Sequence, residues 1–249
     1  MKITDRKYLK EYSETVGSKI PDLVKNFDFA KNKTDSAVKN LALYSFNAGG
    51  NAIDCDLYLK DKLSKDKFAK QMKEIDELSE AYKFAQKNKL NEKNLLKAHE
   101  ILSGSLLPKG KQGKYRTEPV GVFEKLKRKY LAIEHVFVAS TMKGLFEDLE
   151  FLLEEELSPT DAFYYASLLH LRLAHVHPFR SGNGRVARLA EKWFLNEKLG
   201  KTFWQIPSEK YYMNHQMQYF DALNLGASFY ELNYDDCMPF LIMLGNCLK

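Results

Sequence analysis

The chain has 249 residues, 45% hydrophobic and 29% charged, with a net charge of +5 from 38 basic and 33 acidic side chains. That supplies enough apolar material for one large core, or a core with an extension, and excludes a disordered chain. The basic excess is small and dispersed, with no stripe of cations interleaved with aromatics, so nucleic acid is not an expected partner.

Helical periodicity dominates, and the seven prolines fall mostly at boundaries, which predicts a mainly α protein. An N-terminal helical region is expected over residues 1–90, ahead of a second region over 91–249. Gly49, Gly50 and Asn51 form a helix stop signal. Residues 57–86 read as a charged amphipathic helix with Leu78, Ala81 and Phe84 on its apolar face. Asn91 is a plausible N-cap for a helix over 91–102 that carries Leu95, Ala98, Ile101 and Leu102 on one side. A loop follows over 103–113. Two strand-like runs, 119–123 and 130–139, flank a basic turn over 125–129 and predict a hairpin, the one convincing β segment.

Ser158, Pro159 and Asp161 open a helix over 158–175 whose course through Phe163, Ala166, Leu169, Leu173 and Val176 is almost wholly apolar, so a central, buried element is expected. Pro178 forbids its continuation just after His177. Residues 177–188 then read His-Pro-Phe-Arg-Ser-Gly-Asn-Gly-Arg-Val-Ala-Arg. Gly182, Asn183 and Gly184 allow a turn that exposes backbone N–H groups at the start of a helix over 185–198, where the positive dipole end favours phosphate. Arg185 and Arg188 lie three apart on that helix, and their guanidinium forks suit two phosphates of a polyphosphate chain. His177, just before the turn, is a candidate general base.

His170, His175 and His177 also admit a metal site, but no Asp, Glu or Cys set completes a coordination sphere; His170 reads better as a core histidine and His175 as a support for the loop. Cys55, Cys237 and Cys247 are odd in number and lack a C-x-x-C pair, as expected of reduced thiols. No apolar run approaches the ~18 residues of a membrane span, and the N-terminus is charged without an apolar signal core, so a cytoplasmic protein with no membrane partner is expected.

The stretch 177–188 resembles the signature of the Fic (filamentation induced by cAMP) family, H-x-F-x-[D/E]-G-N-G-R-x-x-R, at every fixed position except Ser181, where the family has an acid. The resemblance runs from about Asn91 to the C-terminus. Gly113, Tyr115, Arg116 and Val120 resemble the family's G-x-Y-R-x-x-x-V lead into a β-hairpin flap, and residues 211–223 resemble its tyrosine-rich helix near the nucleobase pocket. The implied fold is a Fic helical bundle with a small hairpin flap. The implied activity is protein adenylylation, transfer of AMP from ATP to a Ser, Thr or Tyr hydroxyl of a target protein with release of pyrophosphate.

Position by position, the resemblance makes His177 the base and Phe179 the anchor of the loop in the core. Gly182, Asn183 and Gly184 become the anion hole, with Arg185 on the inner phosphates and Arg188 on the γ-phosphate. Tyr219 is assigned to the base pocket. The flap residues Val120, Gly121 and Val122 would align the target segment as an added strand. The family's acid helps hold Mg²⁺; Ser181 offers that metal a neutral hydroxyl, so weaker binding is expected.

Upstream, residues 45–51 resemble the family's inhibitory pattern [S/T]-x-x-x-E-[G/N], with Ser45 in place and Gly49 where the glutamate would pair with Arg188. This brake is therefore expected to be missing. Transfer of another phosphate-containing group, such as UMP or phosphocholine, and a catalytically impaired nucleotide-binding module remain open alternatives. So do a secreted effector, which would use a route the sequence does not mark, and a homo-oligomer.

Overall fold

The computed structural model describes residues 1–29, 37–124 and 127–249. It is helical with one small hairpin. The N-terminal third supplies α1 (Leu9–Thr15), α2 (Ile20–Asn26), α3 (Ala37–Ala48), α4 (Cys55–Leu59) and α5 (Lys65–Ala85). Then come α6 (Glu92–Leu102), strands β1 (Gly121–Glu124) and β2 (Lys127–Leu131), α7 (His135–Glu154), α8 (Pro159–Val176) and α9 (Asn183–Leu199). The chain ends with α10 (Ser208–Asn214), α11 (Gln216–Leu223) and α12 (Met238–Asn246).

The α8–α9 pair is the spine. Ser158 caps α8 by accepting from the Asp161 N–H, with Pro159 in the first turn where its missing donor costs nothing. Every residue of α8 from Ala162 to Leu171 is buried, as its apolar course predicts. Helix α9 buries the expected stripe of Val186, Leu189, Ala190, Trp193 and Phe194, but it also buries Glu191 and Lys192, so it has no wet face along most of its length. Those charges are internally matched: Lys192 Nζ lies 2.7 Å from Glu209 Oε2, and Glu191 Oε2 accepts from His170 Nδ1 at 2.7 Å and Tyr212 Oη at 2.8 Å.

Residues of the expected 1–90 region, including Leu43, Phe46 and Leu78, join the same hydrophobic cluster as those of α8 and α9, so the core is continuous across position 90. The Asn91 cap is realised, its side chain accepting from the Asn94 N–H at 2.9 Å.

Three expected boundaries move. The amphipathic helix over 57–86 divides into α4 and α5. The second strand ends at Leu131, and residues 135–139 start α7, whose apolar face of Val138, Met142, Leu145, Leu149 and Leu152 overrides the local β preference of Val136, Phe137 and Val138. The helix expected over 211–223 breaks at His215 between α10 and α11. The hairpin itself is antiparallel, pairing Gly121 with Leu131 and Val122 with Tyr130, with an irregularity after Val122. The tip of the expected basic turn lies outside the described residues. Among the described residues, no helix is long and apolar enough to cross a membrane.

Candidate functional site

Helix α8 ends by placing His177 in the left-handed region, φ +52° and ψ +56°, where its N–H closes on Leu173 O at 3.1 Å. A side chain in that conformation is uncommon, and it swings the imidazole out of the helix. Nδ1 lies 3.1 Å from Ala174 O. A carbonyl only accepts, so Nδ1 carries the proton and Nε2 is left as an acceptor. The ring is half-buried, and its dry surroundings pull its pKa down to about 4; the Ala174 carbonyl opposes that shift and the Arg116 charge adds to it. Near neutral pH it is an unprotonated base.

The turn after it is fixed from below. Phe179 is fully buried and stacks on the His99 ring at 3.7 Å and 11°. His99 also ties the loop to the lead into the hairpin, accepting from the Gly113 N–H and donating to Ser181 O, each at 3.0 Å. Burial holds this ring near pKa 4 as well, with the Ser181 bond opposing. The Asn183 amide closes the turn on itself: Oδ1 accepts from the Phe179 N–H and Nδ2 donates to Phe179 O, both at 2.8 Å. The Asn183 side chain is thus consumed in holding the turn, which leaves only its backbone free to face it. Gly182 takes φ +84° and caps α9 with no side-chain hydrogen bond, so the first N–H groups of α9 face the turn without a competing capping oxygen.

Arg116 is the second clamp. Its 2%-exposed side chain donates from Nε to His177 O at 2.7 Å, from Nη2 to Ile133 O and Val176 O at 2.5 and 3.3 Å, and from Nη1 to Glu118 O at 3.2 Å. Its own N–H reaches Pro178 O at 2.9 Å. The hairpin base and the α8 terminus are therefore one unit, reinforced by Tyr130 Oη donating to His175 O at 2.7 Å. His175 is buried behind the loop, bonded to Leu223 O and Tyr234 Oη. On the flap, Val120 O accepts from the Ala132 N–H, Gly121 pairs with Leu131, and Val122 is exposed. The sheet order leaves the outer edge of β1 without a strand neighbour among the described residues.

The two arginines differ. Arg188, 1% exposed, uses all three nitrogens: Nε on Ser45 Oγ at 3.0 Å, Nη2 on Ser45 O at 2.7 Å and Nη1 on Tyr219 Oη at 3.0 Å. Gly49 stands beside it, where an added Cβ would lie 3.4 Å from Nη2. The segment 45–51 thus meets Arg188 through the hydroxyl and carbonyl of Ser45, a contact the resemblance, which turns on the missing glutamate, did not lead one to expect. Arg185 bonds Glu74 Oε2 through Nη2 at 2.6 Å and lies over the Phe46 ring at 5.0 Å.

Tyr219 is corrected as a base-pocket residue. It is 1% exposed, and its hydroxyl is shared between Arg188 and His170 Nε2, at 2.9 Å from the latter, so its ring is enclosed behind the arginine and closed to stacking by a ligand. His170 is the core histidine expected. Ser181 is half-buried, and among the described residues no group of three or more His, Cys, Asp or Glu could hold a metal. The donor set around the turn does not fit a protein-held Mg²⁺.

The sequence reading missed His99, Arg116 as a clamp, and Glu74. A histidine one position from the apolar stripe of α6 was the available signal for the first, and the Tyr115-Arg116 pair for the second. Glu74 lies in a run of alternating charges that marks nothing.

A helical spine thus brings an imidazole, a glycine turn and two arginines together around one helix start. Residues 89–195 match the Fic/DOC family model. "Protein adenylyltransferase Fic" of Aedes aegypti is 31% identical over 85 residues, covering 34% of this chain and 15% of that protein. The protein of the same name from Nematostella vectensis is 28% identical over 122 residues, covering 46% and 26%. The chain therefore spans about a quarter or less of the length of these relatives. A Fic family protein from Desulfovibrio desulfuricans G20 superposes with a TM-score of 0.75 at 20% identity, covering 95% of this chain and 71% of that one. Fic-1 (aa134–508) of C. elegans gives 0.71 at 17% identity, covering 96% and 70%. Residues 89–195 are thus similar to the Fic/DOC family, and the chain has the Fic fold.

Proposed function

We propose that this protein transfers AMP from ATP to a Ser, Thr or Tyr hydroxyl of a target protein. His177 Nε2 accepts the hydroxyl proton as that oxygen bonds the α-phosphorus, and the bond from the α-phosphorus to the bridging oxygen breaks to release pyrophosphate. The N–H groups that begin α9 and the Arg185 guanidinium take up the charge that develops on the phosphoryl oxygens, the kind of preorganised stabilisation that is worth most in a dry site. Arg188 receives the γ-phosphate once Ser45 yields its place. The unpaired outer edge of β1 offers main-chain hydrogen bonds to the target segment. The observation that carries this reading is the His177 tautomer, with Nδ1 fixed on Ala174 O and Nε2 left to accept.

Two features favour a second reading, a nucleotide-binding module of low turnover: Ser181 at the acid position, and an Arg188 whose every nitrogen is already engaged. Incubation of a lysate with [α-³²P]ATP and, separately, [γ-³²P]ATP decides between them. Adenylylation labels a target with the α label alone and is abolished by His177→Ala. Undiminished labelling by that variant would refute the proposed base, and restoration of metal-dependent labelling by Ser181→Asp alone would favour the module.

A further inference from the structure

Arg185 is held on two sides and has one guanidinium nitrogen without a partner. Nη2 meets Glu74 Oε2 end-on at 2.6 Å, and the guanidinium lies over the Phe46 face. Nη1 is buried and meets no acceptor among the described residues. Arg185 and Glu74 are 9% and 6% exposed, so an orphaned N–H here carries a real desolvation cost and calls for an acceptor. The contact geometry discriminates between two roles for Glu74. A carboxylate occupying the anion seat itself would take both arms of the fork in parallel; one bonded to a single arm fixes the plane of the guanidinium and leaves the second arm for a ligand. Arg188 shows the contrast, since its three nitrogens all have partners.

We propose that Glu74, on α5, is a positioning residue: it holds Nη2 of Arg185 so that Nη1 is presented to an oxygen of a bound polyphosphate. Phe46, on α3, serves as the platform for the same plane. The N-terminal helices thus complete the phosphate site instead of merely covering it. This rests on the reading of the glycine turn as a phosphate site.

The test uses the full chain and inorganic tripolyphosphate as the probe, followed by calorimetry. Glu74→Gln is expected to weaken binding about 10-fold or more, because a neutral amide no longer orients the guanidinium. Glu74→Asp, which keeps the charge, is expected to lie between Gln and the parent. In the Arg185→Gln background the Glu74→Gln effect should vanish, an outcome that general loosening of the fold would not produce.

Binding that is unchanged or tighter in Glu74→Gln overturns the proposal, since tightening would mean that Glu74 competes for the seat. Absence of tripolyphosphate binding by the parent overturns it as well. Should Glu74→Gln fail to fold, ¹⁵N spectra of the parent's Arg185 guanidinium decide: tripolyphosphate is expected to shift Nη1 and leave Nη2 in place, and the reverse pattern or no shift overturns the proposal. Loss of AMP transfer with tripolyphosphate binding intact would count against the proposed function and leave this inference standing.

Discussion

Replacing Arg116 by methionine keeps the aliphatic stem and removes every charged hydrogen bond that joins the hairpin base to the α8 terminus. Four bonds to backbone carbonyls are lost, two of them to acceptors on Val176 and Ile133 that sit away from solvent. A bond from a charged donor contributes ~1.5–3 kcal/mol, but Nη2 is shared between two acceptors and the values do not add. Against this, the arginine is itself desolvated, which lowers its pKa from the ordinary value, so its removal relieves part of the cost. The negative end of α8 acts in place of a carboxylate partner and makes the balance favour the native arginine. A net loss of about 2–4 kcal/mol follows, or roughly 4–16 °C in Tm for a chain of this size. Calorimetric melts of the wild-type, Arg116→Met and Arg116→Lys proteins measure it, with lysine expected to recover only part because a point charge cannot span four carbonyls. A fall of less than about 2 °C in Arg116→Met would refute the clamp.

Stability should decline between pH 7.5 and pH 5, measured as urea midpoints. His99, His175 and His177 all have folded pKa values near 4 because of burial, whereas in the unfolded chain they titrate near 6.5. The unfolded state therefore binds more protons below pH 6.5, and stability complete above that value falls until about pH 4; for His99 and His175 the loss at pH 5 is up to about 2 kcal/mol each. Equal midpoints at the two values would contradict the burial of these rings. By the same shift, AMP transfer should stay flat from pH 8 to about pH 5, and a fall centred near 6.5 would show His177 to be solvated. Gly49→Glu should lower ATP affinity about 10-fold or more in calorimetry, because its carboxylate would reach Arg188 Nη2; Gly49→Gln should do less, and equal effects of the two would show that bulk alone is responsible.

The parts of this molecule legible in the sequence are those written in local pattern. The Ser158 cap, the apolar course of α8, the proline stop and the glycine turn each lie within a few residues and survive unchanged. The errors at 132–139 and at His215 arise where packing overrides local preference: Val136 and Phe137 are exposed at 66% and 51%, yet the helix they open is decided by the face that includes Val138 and Met142. The partners of the glycine turn were illegible for another reason. His99 meets Ser181, and Glu74 meets Arg185, across 82 and 111 positions of sequence. No period or spacing encodes such pairs, and the resemblance pointed to Arg188 only through the glutamate that Gly49 replaces, not through Ser45.

The left-handed backbone at His177 has an evolutionary consequence. Glycine fits φ +52° without the steric penalty of about 1–2 kcal/mol that a side chain incurs there, so variants selected for heat resistance alone should drift toward glycine at this site. A thermally hardened protein without the imidazole would be the product, and persistence of the imidazole under such selection would imply that its ring contributes more to folding than the strained cap takes away.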